Sequence, residues 1–153
     1  MGNLKLESFD FSHGGEIPRE CGYKNGNKKP ELSVSGLPDG RKSLALIMDD
    51  PDAMGAVGKV WVHWVVWNIR WNTAAITSDY QNGTEGMTDF GEVGYGGPAP
   101  PDKRHTYVFK LYALDSLPLL LVNGPPATEK THLEKAMEGH IIEQTQLTGT
   151  YAP

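Results

Sequence analysis

The sequence predicts a mainly β fold with one helix in its C-terminal half, and three stretches carry that prediction. Leu44-Ala45-Leu46-Ile47-Met48 is apolar at every position, the pattern of a strand covered on both faces. Val60 to Ile69 is dense in Val, Trp and Ile, residues that fit a pleated, half-buried surface. After Thr128, which can cap a helix, Leu133, Ala136, Met137, His140 and Ile141 recur at intervals of three and four, the stripe of an amphipathic helix.

The remaining elements follow in chain order. Leu4 and Leu6, then Phe9 and Phe11, alternate with polar residues and predict short strands separated by polar breaks. Ser12 to Pro30, rich in Gly, Asn, Lys and Pro, reads as a long surface loop, and Glu31 to Ser35 as a short strand. Leu37-Pro38-Asp39-Gly40 is a turn in which Pro sets φ and Gly accepts a positive one, delivering the chain into the apolar run. Ala53 to Gly58 is small and flexible. In the strand that follows, alternation puts His63, Val65 and Trp67 on one face and Val62, Trp64, Val66 and Asn68 on the other. Trp71 to Gly86 reads as a loop. His105 to Leu114 alternates again, with His105, Tyr107, Phe109 and Leu111 on one face and Val108, Lys110 and Tyr112 on the other. Pro118, Leu119-Leu120-Leu121 and the break Gly124-Pro125-Pro126 lead to the helix, whose His132 and His140 are assigned to packing or solvent. Gln144 to Tyr151 forms a last strand or extended tail.

Composition bounds the function. A chain of 153 residues is expected to form one domain, 1–153, burying roughly 68–70% of its unfolded surface without staples. The single cysteine, Cys21, allows no intramolecular disulfide and fits a structural role in a reducing compartment. A net charge of -5 argues against a nucleic-acid partner, and Lys28-Lys29 reads as a solvated turn. Met1 to Asp10 lacks the apolar core of a signal peptide. Leu6 stands where a myristoylation signal wants Ser or Thr, and no apolar run reaches membrane-span length. The expectation is a cytoplasmic protein with no stable membrane insertion.

The chemistry gathers at Asp49-Asp50-Pro51-Asp52. Alternation places Asp50 on the side of Leu44, Leu46 and Met48, so a carboxylate points toward the core and needs donors, for which His63 and His105 are the candidates. The plainer alternative is that Asp50 and Asp52 cap the turn at Pro51, and that His63 is a hydrogen-bonded core residue. Gly91 to Pro101 mixes four glycines with three prolines, which lets backbone amides be aimed and then fixed, an anion-cradling wall or simply a tight connection. It lacks the Gly-Lys-Ser/Thr ending of a Walker loop, and no helix follows as a dinucleotide fingerprint requires. His105 and Tyr107 point the same way and bring an imidazole and a phenol to one polar mouth.

The order of these pieces resembles the phosphatidylethanolamine-binding protein family, also called Raf kinase inhibitor-like proteins, in its small bacterial and archaeal branch. The resemblance rests on Leu44 to Ala53, His63-Trp64 with Asn68, and Gly94-Tyr95-Gly96-Gly97-Pro98-Ala99-Pro100-Pro101 leading to His105 and Tyr107. Ile17-Pro18, Leu37-Pro38-Asp39-Gly40 and the stretch Lys135 to His140 extend it from about Leu4 to Tyr151. It implies a β-sandwich of two antiparallel sheets and a pocket for small anions such as phosphate or phosphoethanolamine. Carried over position by position, the ligand-binding residues are Asp50, Asp52, His63, Gly97, Pro98, His105 and Tyr107. In that pocket two imidazoles would donate to a phosphate oxygen, the glycine wall would offer amides and Tyr107 a hydroxyl. Asp50 would orient one imidazole and favour its charged form, so that binding tightens as pH falls toward ~6.5. The resemblance further implies a regulatory protein rather than an enzyme, with a protease or kinase as partner, no cofactor, and a homodimer compatible with the branch.

Some positions depart from the family pattern. Met54 stands in place of proline, Lys103-Arg104 in place of Gly-Pro, and Thr106 in place of arginine, and no tyrosine lies just before Trp61. Lys103 and Arg104 either add positive charge to the rim or face solvent. Two enzymatic alternatives compete. A metal-assisted hydrolase would use Asp50, Asp52, His63 and His105 as ligands, without a His-Glu-X-X-His stretch to support it. A serine or cysteine enzyme would lack Gly-X-Ser-X-Gly and a nucleophile beside either histidine.

Overall fold

Two antiparallel sheets and a helix stack as three layers in the computed structural model, which describes residues 2–77, 83–117 and 128–153. The smaller sheet joins β1 (Lys5–Ser8), β2 (Leu32–Ser35) and β5 (Ala75–Ile76) in the order β1-β2-β5. The larger runs β6-β4-β3-β7-β8, from β6 (Thr84–Glu85), β4 (Trp61–Arg70), β3 (Ser43–Asp50), β7 (His105–Leu114) and β8 (Ile141–Tyr151). A short helix α1 (Ala53–Val57) follows β3, and α2 (Lys130–Met137) precedes β8. The two-sheet sandwich and the helix in the C-terminal half are as expected. The Pro118, Leu119 to Leu121 and Gly124 to Pro126 break lies outside the described residues.

β3 explains its own apolar run. It is the central strand of the larger sheet, and all eight of its residues are buried. Leu44, Leu46 and Met48 pack between the sheets with Leu6, Leu32 and Phe109, while Ala45 and Ile47 pack with Trp67, Leu133 and Met137 under α2. A strand covered on both sides cannot alternate. Its end carries acid to both faces. Asp49 accepts ion pairs from Lys110 at 3.0 Å and Lys130 at 2.7 Å, and Asp50 turns toward His105.

β4 departs from simple alternation at two bulges. The register passes from Met48↔Trp64 to Asp49↔Val62, leaving His63 as the extra residue, and from Leu46↔Val66 to Leu44↔Ile69, where Asn68 takes a φ of +54°. Each bulge re-aims the side chains around it. His63 therefore meets Tyr107 and shares the intersheet side with Trp64 and Val66, whereas Val65 and Trp67 lie under α2. The expected grouping of His63 with Val65 and Trp67 is thus corrected.

Other expectations change in smaller ways. Phe9 and Phe11 form no strand; Phe9 is exposed and Phe11 packs on Phe109. The 12–30 segment is more than a surface loop. Ile17 N–H donates to the Thr150 carbonyl and Thr150 N–H to that of Gly15, closing one end of the β8 edge. It also buries Cys21, whose thiol pKa burial pushes up to about 12, an inert structural group. Residues 53–57 are helical, and β5 and β6 interrupt the expected loop at 71–86. In α2 the cap is Glu129, which pairs with His132 in a capping box, rather than Thr128. The helix stops at Met137, and after a turn with Gly139 at φ +79° the chain enters β8, so His140 and Ile141 do not extend the stripe.

Candidate functional site

The site is assembled where β3 ends, β7 begins and β4 bulges. Asp50 closes β3, and its Oδ1 accepts the N–H of Asp52 at 2.9 Å, which shapes the turn into α1. Its Oδ2 lies 2.6 Å from Nδ1 of His105, the first residue of β7. The other ring nitrogen, Nε2, is 2.7 Å from Oδ1 of Asp102. Carboxylates accept, so both nitrogens donate and the ring is an imidazolium. Burial pushes the His105 pKa down, but the bonds and charges of Asp50 and Asp102 outweigh it and hold the pKa above its ordinary value. The same bond lowers the pKa of Asp102.

His63 is set in the opposite state. Its Nδ1 is 2.6 Å from the carbonyl oxygen of Gly96, so Nδ1 carries the proton and Nε2 is the nitrogen left to the cavity. Burial pushes its pKa below the ordinary value, against the partial support of the Gly96 carbonyl and the Asp50 charge. Its ring meets Tyr107 edge to face at 5.1 Å and Phe90 at 5.4 Å. The buried Tyr107 hydroxyl forms no hydrogen bond with a protein group, although Asp50 and the Ala99 amide lie near it. Burial first, then the Asp50 charge, raises its pKa, so it stays a neutral donor.

Asp50, His63 and His105 face a cavity of about 200 Å³, smaller than the roughly 300–1,000 Å³ of drug-sized pockets. Asp50, His63 and His105 supply its polar lining, and Ala53, Ala56 and Val57 of α1 join Trp61, Phe90, Ala99 and Pro101 as apolar walls. Thus three of the seven predicted residues converge. Asp52 stands outside the lining, exposed, and its Oδ2 accepts the N–H of Thr106 at 2.8 Å. Tyr107 lies behind the wall. Pro98 lines a neighbouring pocket with Arg19 and Lys24. Arg104 turns to Glu16 and Thr150.

The glycine wall does not act as an amide cradle. Gly97 N–H donates to Oδ1 of Asn27 at 2.7 Å, Gly96 N–H to the His63 carbonyl at 2.8 Å, and Gly94 N–H to that of Gly86 at 3.2 Å. These three amides are spent on fixing the wall to the 12–30 segment, to His63 of β4 and to Gly86 after β6. The picture of two imidazoles offering donors changes as well, since His105 has both nitrogens engaged and His63 presents a lone pair. Among the described residues, no three His, Cys, Asp or Glu side chains converge as metal ligands. Sequence reasoning missed Asp102, Trp61, Phe90 and α1. Asp102 left one signal, an acid three residues before a histidine at a strand start.

Comparison with known proteins matches the chain over nearly its whole length. The sequence profile described as phosphatidylethanolamine-binding protein matches residues 7–152. A UPF0098 protein of Methanothermobacter thermautotrophicus is 37% identical, over 97% of this chain and 98% of the relative. A phosphatidylethanolamine-binding protein homologue from Chlamydia trachomatis superposes with a TM-score of 0.87 at 35% identity, covering 99% of this chain and 98% of the other. E. coli YbcL, described as a member of the mammalian family, superposes with a TM-score of 0.86 at 26% identity and 98% coverage of both. With nearly the whole chain matched by profile, relatives and structures alike, the protein belongs to the phosphatidylethanolamine-binding protein family.

Proposed function

We propose that the cavity binds one small phosphate-bearing group, such as inorganic phosphate or phosphoethanolamine, and takes up a proton with it. The observation that carries this is the state of His63, whose Nδ1 is committed to Gly96 so that Nε2 alone serves the cavity. A phosphate oxygen needs a donor there, so either His63 gains a proton or the phosphate brings its own. His105, already an imidazolium, supplies positive charge at the lining. The apolar walls exclude water and strengthen each of these bonds. The cavity size suits one headgroup and not an acyl chain.

The role is that of a binding and regulatory protein of the cytoplasm, acting as monomer or homodimer. The family resemblance makes a protease or a kinase the protein partner to test. Phosphate and phosphoethanolamine titrations followed by histidine NMR shifts address the site directly, with His63→Ala and His105→Ala beside the wild type. Both histidines are expected to respond, with His63→Ala abolishing binding. Affinity is expected to rise as pH falls through the depressed His63 pKa, below the ordinary ~6.5. Silence from both rings at every pH would end this reading.

A further inference from the structure

A second cavity, of about 290 Å³, lies across the proline wall from the first and is the larger of the two. Ala99 and Pro101 line both cavities, while Pro98 and Pro100 line the outer one. Tyr151 of β8, with Arg19, Lys24 and Asn25 of the 12–30 segment, supplies the polar part of the outer lining. That lining carries two cations and no carboxylate, in a chain whose formal net charge is -5. Both cations are left over by the rest of the protein. Among the described residues, ion pairs engage Lys5, Lys29, Lys59, Arg104, Lys110 and Lys130, but neither Arg19 nor Lys24.

Arg19 is held in place before any ligand arrives. Its guanidinium lies over the Tyr151 ring, 4.3 Å from the centroid, and Nη1 donates to the Ala152 carbonyl at 2.8 Å. Tyr151 is anchored in turn, its hydroxyl donating to the Arg19 carbonyl at 2.8 Å and accepting from Nδ2 of Asn25 at 2.6 Å. Among the described residues the guanidinium makes no second hydrogen bond, so donors of its planar fork are left over. Such a fork matches a carboxylate with two parallel bonds, and one already fixed loses little freedom on binding. The proline rings and the anchored tyrosine ring likewise offer apolar surface that needs no further ordering. We propose that the outer cavity is a second binding site, for a carboxylate borne on an apolar body, as a small aromatic acid or the terminal residue of a peptide presents it. Arg19 grips the carboxylate, Lys24 adds the second charge, and the body lies against Pro98 to Pro101. The outer site shares a wall with the inner one but no polar residue, so neither depends on the other.

The test titrates phenylacetate, N-acetylphenylalanine, N-acetylphenylalaninamide and inorganic phosphate separately by NMR. The Tyr151 ring and Arg19 Nε–H signals report the outer cavity, and the His63 and His105 rings the inner one. Arg19→Gln and Lys24→Gln stand beside the wild type, with Lys5→Gln, an exposed lysine outside the lining, as the control for net charge. Both acids are expected to shift Tyr151 and Arg19 without moving His63, and the amide to bind more weakly by roughly tenfold, the scale of one charge-assisted bond. Arg19→Gln should weaken the acids by about the same factor, Lys24→Gln by about two- to fivefold as an exposed pair does, and Lys5→Gln by nothing measurable. Tighter binding of phenylacetate would identify a free acid as the ligand, and tighter binding of N-acetylphenylalanine a peptide end. The site is overturned if neither acid binds, if the amide or phosphate matches the acids at Tyr151, if the shifts fall on His63 instead, or if Lys5→Gln weakens binding as much as Arg19→Gln. Comparing acid with amide on the wild type keeps the outcome independent of how any variant folds.

Discussion

Asp50 and His105 join Oδ2 to Nδ1 across 2.6 Å with both side chains almost wholly out of water. The bond ties the end of β3 to the start of β7 and fixes which way the imidazole faces. Breaking a buried pair leaves one partner uncompensated, at a cost of about 3–5 kcal/mol, but His105 can relieve part of it by releasing its proton. Asp50→Asn is therefore expected to destabilise the protein by about 2–3 kcal/mol and to lower the His105 pKa. Urea unfolding together with NMR titration of the ring checks both, and an unchanged His105 titration would show that Asp102 alone sets it.

The two histidines give the folded state opposite responses to pH. His105 has a raised folded pKa, so its stabilisation is complete below the unfolded value of ~6.5 and is lost as pH rises through the folded value. His63 has a lowered one, so the unfolded chain binds the extra proton and stability falls as pH drops from ~6.5 to the folded value. Together they predict greatest stability near pH ~6.5, with separate losses on either side. Urea midpoints across that range should show both limbs. His63→Gln should flatten the acid limb alone and His105→Gln the alkaline one, and a single limb answering to both variants would contradict the assignment. Asp102, with its lowered pKa, loses its contribution as pH falls through and below the ordinary carboxylate range.

Much of this was legible in the chain because long strands announce themselves. The apolar run Leu44 to Met48 of β3 and the alternating β7 declare their faces by composition, and with them the inward turn of Asp50 and His105. β4 conceals its faces. The bulges at His63 and Asn68 move side chains across the sheet without altering the run of Val and Trp that defines the strand. The glycine wall shows the limit of composition in another form. Its glycines permit many amide directions, and the choice falls to Asn27, seventy residues away from Gly97 in sequence. Asp102 belongs to the same class, since a contact between a turn and the strand that follows has no periodicity to betray it.

On the far face of the larger sheet, Asp49 does for α2 what Asp50 does for the cavity. Its buried carboxylate accepts Lys110 from β7 and Lys130 from the first turn of α2, so one charge joins three elements. The lysines keep 25% and 17% of their side chains exposed and can reach water through their flexible stems, which softens the loss of their partner. Asp49→Ala should accordingly cost about 3 kcal/mol, at the lower end for a broken buried pair. Lys130→Met keeps the apolar stem and leaves Lys110 to neutralise Asp49, so it should cost no more than about 1 kcal/mol. The combination discriminates further. If Asp49 acts through Lys130, the double variant should cost less than the sum of the two, and amide exchange should quicken in α2 before it quickens in β3. Strict additivity with uniform exchange would mean that α2 is held by the packing of Leu133 and Met137 alone.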